Sequence, residues 1–197
     1  NAGTNSRLWE WVEHRHWQLR TTLPGSALAA GRPAVLDAPG LDYCGWIFLD
    51  GVEVGRFEGA LMSHRFDLTP YVTDRSEHVL DILFDEPPHE YGFCGFTSRS
   101  RLFKPRYTYG WDWCPRFVPI GVWDRLTLLT GADARLRVER VRTELDTDNR
   151  RGTVDVEVAL DEGWRDDGVR SIDISLADDD GKVWASSVID PERGVLQ

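Results

Sequence analysis

Long apolar runs and the short motifs of several enzyme classes are missing from this chain of 197 residues. No apolar segment is long enough to span a bilayer, and no basic-then-apolar start marks a secretory leader. A glycine-rich phosphate loop, a zinc-type histidine motif and a Gly-x-Ser-x-Gly nucleophile turn are also absent. These absences argue against a membrane-spanning protein, a nucleotide-binding enzyme and a serine hydrolase of the common type.

Cysteine and positive charge are both scarce. The three cysteines, Cys44, Cys94 and Cys114, are widely spaced and do not match a metal site. An odd set allows one disulfide at most, so we expect buried free thiols and a reducing compartment, with the cytoplasm favoured. The 23 Lys and Arg residues are outnumbered by 33 Asp and Glu, which gives a net charge of −10. Phosphate groups repel such a chain, which argues against nucleic acid and anionic membranes as partners.

The composition changes along the chain and predicts two domains, residues 1–130 and residues 131–197. The first part holds 20 of the 22 aromatic residues, and the second holds only Trp164 and Trp184. The first part has 16 acidic and 13 basic residues (net −3), whereas the second has 17 and 10 (net −7). The boundary falls in a small turn-prone segment, Thr130-Gly131-Ala132-Asp133. Because the sequence stops just after strand-like residues, we expect the second domain to be incomplete and the chain to be cut from a longer one.

The first part is predicted to be an antiparallel β-sandwich. The run 43–49 is followed by Asp50-Gly51 and a second arm over 52–54 that ends at Gly55, which is a strong hairpin signal. Further strands are predicted over 61–68 and 78–84. Residues 8–19 fit an amphipathic helix by periodicity, but their Trp, His and Val content favours strands. Many short strands separated by turns are typical of sandwiches.

The second part is predicted to be an immunoglobulin-like β-sandwich. Charged and apolar residues alternate over 135–141, 153–160 and 171–176, as in strands with one face in water. Asp180-Gly181 then predicts a hairpin turn into 182–184. The whole chain is therefore predicted to be all-β.

One segment, Tyr109-Gly110-Trp111-Asp112-Trp113-Cys114-Pro115-Arg116, indicates sugar recognition. Indole rings have flat apolar faces that suit the C–H faces of pyranose sugars. A carboxylate held between them accepts two hydroxyl hydrogen bonds at once, more strongly than a neutral acceptor. The alternative is that Trp111 and Trp113 belong to the core and Asp112 caps a turn.

No catalytic, metal-binding or cofactor-binding residue is predicted from the residues themselves. His14 and His16 would face the same side of a strand as a possible ligand pair, but without a third ligand nearby they are predicted to be surface or boundary histidines. Cys114 would need a histidine base to act as a nucleophile, so packing is its predicted role. Glycoside hydrolysis needs two opposed carboxylates, and nothing marks a matched pair among the four candidates, Asp85, Glu86, Glu90 and Asp112.

Three motifs resemble the N-terminal domain of glycoside hydrolase family two, in its β-mannosidase branch. Residues 104–123 are similar to the branch's Gly-Trp-Asp-Trp-Gly-Pro-Arg and the Gly-Ile-Trp that follows. The hairpin over 46–55 looks like the family's strand–Asn-Gly–strand segment, and Phe66-Asp67-Leu68-Thr69 resembles its Phe-Asp-Val-Thr. Cys114 replaces the usual glycine and Asp50 the usual asparagine; the second change is harmless to a turn.

The resemblance implies a galactose-binding-like jelly-roll β-sandwich followed by part of an immunoglobulin-like β-sandwich. In the family, a TIM barrel with two catalytic glutamates comes next, so this chain would be non-catalytic and its parent a retaining exo-β-mannosidase. By matching position, Asp112 would accept hydrogen bonds from sugar hydroxyls remote from the scissile bond. Trp111 and Trp113 would wall that subsite, while Arg116 would be structural, tied to a carboxylate or carbonyl.

Three hypotheses follow for the function. The first is a fragment that contributes part of the terminal-sugar subsite, for a terminal β-mannoside, to a catalytic barrel. The second is an autonomous carbohydrate-binding module. The third is a structural β-sandwich used for contacts in a homo-oligomer.

Overall fold

The computed structural model describes residues 3–89, 101–148 and 150–192, without the side chains of residues 3 and 4. Predictions that fall on Glu90 and Cys94 lie outside the described residues. The chain divides into two compact units, Asn1–Thr130 and Gly131–Gln197. Every strand pairing in both units is antiparallel, which confirms the predicted all-β class.

In the described residues of the first unit, the strands are β1 (Trp17–Pro24), β2 (Ala34–Ala38), β3 (Leu41–Asp42), β4 (Cys44–Leu49), β5 (Val52–Glu58), β6 (His64–Asp67), β7 (Glu77–Phe84), β8 (Gly121–Val122) and β9 (Thr127–Thr130). They form a four-stranded sheet of order β1-β7-β4-β5, a three-stranded sheet of order β6-β2-β9 and a short two-stranded ladder, β3-β8. Short 3₁₀ helices span Gly3–His14, Thr69–Tyr71 and Arg106–Tyr109.

One buried cluster joins the two larger sheets of the first unit. Alternate residues of a strand point to the same face of the sheet. The buried residues include Leu36 in β2, Ile47 and Leu49 in β4, and Ile82 in β7. Side chains from both sheets belong to the same cluster, so the sheets pack face to face as a sandwich. Burial of each such side chain contributes about 1.5–3 kcal/mol.

The predicted Asp50-Gly51 hairpin is confirmed between β4 and β5. Asp50 and Gly51 adopt φ values of 51° and 82°, as expected of a tight turn that needs positive φ at both positions. The Asp50 carboxylate accepts hydrogen bonds from the Val79 amide (2.8 Å) and from Nδ1 of the buried His78 (2.7 Å), so it ties the turn to β7. The second arm extends to Glu58, so the prediction that it ends at Gly55 is wrong.

The prediction of strands over residues 8–19 is wrong for most of that range. Gly3–His14 is a 3₁₀ helix, and β1 begins only at Trp17. The Trp17 indole donates to the Val12 carbonyl (2.9 Å), and the buried Glu13 forms an ion pair with Arg116. These contacts, one local and one with a distant segment, outweigh the β preference of the aromatic and branched residues, a preference that depends strongly on context.

The second unit contains two antiparallel hairpins in its described residues. One joins β10 (Leu136–Asp146) to β11 (Arg151–Leu160), and the other joins β12 (Ile172–Ala177) to β13 (Val183–Ile189). The short helix α1 (Ala132–Arg135) precedes β10. The strands β10, β11 and β12 overlap the alternating patterns read from the sequence, and β13 overlaps the arm predicted after the Asp180-Gly181 turn. In the described part of the chain, no helix has the length and apolar character needed to cross a membrane.

Candidate functional site

The segment singled out in the sequence forms a tight turn with Asp112 and Trp113 at its tip. The turn is closed by two backbone hydrogen bonds, from the Trp111 amide to the Cys114 carbonyl (2.8 Å) and in return (3.0 Å). Gly110 enters the turn with φ of 111°, a conformation that side chains other than hydrogen rarely adopt. Cys114 does not have positive φ, so its Cβ fits the backbone at a position where the β-mannosidase branch usually has glycine.

The side chains of this turn face solvent, which excludes the alternative that they belong to the core. Trp113 is 75% exposed and Trp111 is 36% exposed, with ring centroids 5.6 Å apart and planes inclined by 57°. Asp112 is also exposed. Within the described residues, no side-chain hydrogen bond or ion pair engages the Asp112 carboxylate, so it does not cap the turn. Two inclined indole faces and an open carboxylate are presented together.

The base of the turn is held by a small apolar cluster and a second pair of chain segments. Tyr109 and Val118 are buried against Leu102. The Phe117 amide donates to the Thr108 carbonyl at 2.8 Å, one step further from the tip than the Trp111–Cys114 pair. Packing and backbone hydrogen bonds therefore fix the segments that lead into and out of the exposed tip.

Arg116 anchors the turn to the N-terminal 3₁₀ helix, as predicted for a structural arginine. Its Nε and Nη2 both donate to Oε1 of Glu13, the former at 2.8 Å. Nη1 also reaches the Tyr109 carbonyl at 3.4 Å, and the guanidinium lies 5.1 Å from the centre of the Tyr109 ring. Because Glu13 is only 3% exposed, this is a largely desolvated ion pair. The sequence could not identify Glu13 as the partner, since it lies 103 residues away.

A second buried ion pair holds both ends of the same segment. Lys104 Nζ donates to Asp42 Oδ1 (2.5 Å) and to the Pro119 carbonyl (2.8 Å), so it connects β3 with the residues on either side of the turn. Burial lowers the pKa of Lys104 and raises that of Asp42, against the opposing effect of their mutual hydrogen bond. Sequence reasoning missed this pair, because neither residue belongs to a recognisable local pattern.

The described cysteines are free thiols, in agreement with the prediction, although each is half-buried rather than fully buried. Burial, with the nearby carboxylates of Asp85 and Glu58, raises the pKa of the Cys44 thiol to about 11. A thiol that ionises only at such a pH is a poor nucleophile at neutral pH. Cys114 donates to the Pro115 carbonyl at 3.4 Å and lies at the base of the turn, consistent with the predicted packing role.

Two carboxylates considered as catalytic candidates, Asp85 and Glu86, pair with histidines. His16 pairs with Asp85 at 2.9 Å, and His89 pairs with Glu86 at 2.8 Å. The His89 hydrogen bond holds the pKa of Glu86 below its usual range. His14 stacks on His89 rather than acting with His16. Asp85 and Glu86 are thus each engaged by a histidine.

The fold of the first unit places it in the class of antiparallel β-sandwich domains. Residues 1–124 match the family model described as glycosyl hydrolase 2 galactose-binding domain-like. The chain therefore belongs to glycosyl hydrolase family 2, and the resemblance read from the Trp-Asp-Trp segment is confirmed at the level of the family.

Several fungal enzymes are similar to this chain. The chain is 30% identical to Beta-mannosidase B of Emericella nidulans over 139 residues, which is 64% of this chain and 16% of the relative. It is 31% identical to Beta-mannosidase B of Aspergillus terreus over 154 residues, which is 71% of this chain and 18% of the relative. The chain thus spans less than a fifth of the length of these relatives.

Solved structures agree on the fold. The β-D-mannosidase of Dictyoglomus thermophilum superposes with a TM-score of 0.66 and 20% identity, over 95% of this chain and 24% of the other. A β-glucuronidase of Parabacteroides merdae gives a TM-score of 0.54 with 18% identity, over 89% and 22% respectively. At these identities the likeness supports the β-sandwich fold and nothing finer.

Proposed function

We propose that this chain is a non-catalytic N-terminal portion of a retaining exo-β-mannosidase, in which the Trp111–Asp112–Trp113 turn forms one wall of the terminal-sugar subsite. The opposite wall and both catalytic carboxylates would come from a TIM barrel elsewhere in the whole protein. The observation that carries the proposal is the open carboxylate of Asp112 between two exposed, inclined indoles. The curated relatives named Beta-mannosidase B support the choice of sugar.

The chemistry of the turn suits a sugar that is held away from its scissile bond. Asp112 accepts hydrogen bonds from two hydroxyls, and the indole faces of Trp111 and Trp113 cover the C–H face of the ring. Because the Arg116–Glu13 pair fixes the base of the turn, these groups are positioned before the sugar arrives. Binding energy from such remote contacts orients the substrate and favours its distortion toward the transition state.

Kinetics of the whole enzyme test this role. Asp112→Ala is expected to reduce kcat/KM for an aryl β-mannoside about 5- to 150-fold, because a charged hydrogen-bond acceptor is lost. This corresponds to a loss of about 1–3 kcal/mol of transition-state stabilisation. Asp74→Ala serves as a matched control, since Asp74 is an exposed aspartate outside the turn and should leave kcat/KM unchanged. An Asp112→Ala enzyme with unaltered kcat/KM would remove Asp112 from the subsite.

Sugar titration of the isolated chain distinguishes the proposal from an autonomous module. With only one wall of the subsite, the chain should show no binding of mannose or short β-mannosides at low millimolar concentration, while the whole protein binds them. Saturable binding by the chain alone, abolished in Trp113→Ala and retained in Trp184→Ala, would favour a carbohydrate-binding module instead. Trp184 is a suitable control because it is 65% exposed and belongs to the second unit.

A further inference from the structure

We infer that Glu13, His14 and His89 form a binding site for a divalent transition-metal ion of the Zn²⁺ type. His14 ends the N-terminal 3₁₀ helix, and His89 lies five residues after the end of β7. In the part of the chain that the structure describes, these side chains form a group whose ligand atoms all lie within 4.8 Å of one another. The sequence predicted no metal site, because His89 comes from a segment distant from Glu13 and His14 and no local pattern joins the three residues.

The two histidines are already adjacent and have room to adjust. Their rings stack with centroids 4.8 Å apart and planes inclined by 19°. Ligand atoms around a tetrahedral zinc ion, at bond lengths of about 2.0–2.1 Å, lie about 3.4 Å from each other. The widest ligand separation must therefore shrink by about 1.4 Å on binding, and the two rings must leave their stacked arrangement, because an imidazole binds an ion in its own ring plane. His14 and His89 are 54% and 40% exposed, so their side chains can rotate without disturbing the core.

The third ligand is fixed by its surroundings. Glu13 is buried, and both Arg116 hydrogen bonds to it end on Oε1. Arg116 holds the carboxylate in place, and His14 Nε2 lies 3.6 Å from Oε1, so an ion bound at Oε2 requires His14 to move toward that oxygen. Two imidazoles and one carboxylate are the ligand set of many zinc sites that keep an open position, and imidazole ligands favour Zn²⁺, Cu²⁺ or Ni²⁺ over Mg²⁺ and Ca²⁺.

An outer carboxylate supports one of the ligands. Nε2 of His89 lies 2.8 Å from Glu86 Oε2, and a proton donated there leaves Nδ1 unprotonated and able to bind the ion. Metal-ligating histidines usually donate their other N–H to such a carboxylate, which orients the ring. His16 is not one of the three proposed ligands, and its Nε2 pairs with Asp85.

An ion at this site would add a link beside the end of the β1–β7 ladder, where Trp17 pairs with Phe84. It would join the end of the 3₁₀ helix to the residues after β7, and it would fix the carboxylate that anchors Arg116. Binding to the native state alone raises the apparent stability in proportion to the logarithm of ion concentration. The site is therefore expected to stabilise the first unit and the base of the Trp111–Asp112–Trp113 turn.

Zinc titration of the tag-free, EDTA-treated chain tests the inference. Calorimetry with ZnCl₂ should give one ion per chain, and His14→Ala and His89→Ala should each weaken binding at least about tenfold. His16→Ala is the matched control, since His16 is 61% exposed, lies two residues from His14 and should leave the affinity unchanged. The titration is repeated in a background with all three cysteines replaced by serine, where binding should persist.

Thermal unfolding provides the second measurement and does not depend on heat of binding. Zinc should raise the Tm of the wild-type chain and of His16→Ala, and it should leave the Tm of His14→Ala and His89→Ala unchanged. Three results would overturn the inference: no saturable zinc binding, binding that survives both key substitutions, or binding that disappears in the serine background. None of these measurements involves sugar, so the sugar-subsite proposal stands or falls separately.

Discussion

Removal of Lys104 should destabilise the first unit more strongly than removal of a surface cation. The Lys104 side chain is 0% exposed and that of Asp42 is 6% exposed. Lys104→Met leaves the Asp42 carboxylate buried without its partner and removes the donor to the Pro119 carbonyl. Breaking a buried ion pair by deleting one partner costs about 3–5 kcal/mol. That is a large part of the 5–15 kcal/mol that typically separates folded from unfolded domains.

Urea unfolding followed by tryptophan fluorescence measures this loss. Of the nine tryptophans only Trp164 and Trp184 lie in residues 131–197, so the signal reports mainly on the first unit. Arg56→Met is the control, because its ion pair with Glu53 is exposed (70% and 43%) and should cost at most about 1 kcal/mol. Since the two units can unfold separately, each transition is fitted on its own.

A double substitution separates lost charge pairing from lost packing. Asp42→Asn with Lys104→Met removes both charges, so the double variant should be more stable than Lys104→Met alone. If Lys104→Met costs no more than Arg56→Met and the two substitutions at the pair are additive, the pair is solvated and the reasoning from burial is wrong.

Three further predictions concern the frame of the first unit. Hydrogen bonding by Arg20, against the effect of burial, holds the pKa of Asp81 below its usual value, so its stabilising contribution is present above about pH 4 and is lost as pH falls through the folded-state pKa. Asp81→Asn should therefore lower Tm at pH 7 and reduce the fall in Tm between pH 7 and pH 3. Cys44, with a pKa of about 11, should react with iodoacetamide at pH 8 more slowly in the native chain than in urea, by mass spectrometry. Gly45→Ala should destabilise the unit in urea titrations by several kcal/mol, roughly the scale of overpacking and strain combined, since its Cβ would lie 1.9 Å from the Leu83 carbonyl oxygen; an unchanged midpoint would contradict the close approach of β4 and β7.

Short sequence patterns predicted the turns and strands whose conformation depends on neighbouring residues. The Asp50-Gly51 hairpin follows from positive φ at two adjacent residues, and β10, β11 and β12 follow from alternation of charged and apolar side chains. The N-terminal segment was mispredicted because its conformation depends on the ion pair of Glu13 with Arg116, which lies 103 residues away. Propensity alone does not contain that information.

The sequence indicated the residues of the candidate site but not the ion pairs that hold its turn in place. The spacing of Trp111, Asp112 and Trp113 indicated sugar chemistry, and their exposure agrees with a surface role. The ion pairs that hold the turn join residues 103 and 62 positions apart, Arg116 with Glu13 and Lys104 with Asp42. Such pairs follow from how the strands are arranged in space, so no local pattern reveals them.

A double-mutant cycle between Asp112 and the hydroxyls of the sugar tests the subsite most directly. In the whole enzyme, kcat/KM is measured for wild type and Asp112→Ala, with aryl β-mannosides and with analogues deoxygenated at each hydroxyl remote from the scissile bond. If Asp112 binds one of these hydroxyls, removal of either partner should cost about 1–3 kcal/mol, and removal of both should cost little more than removal of one. Fully additive losses at every hydroxyl would contradict a contact between Asp112 and the sugar.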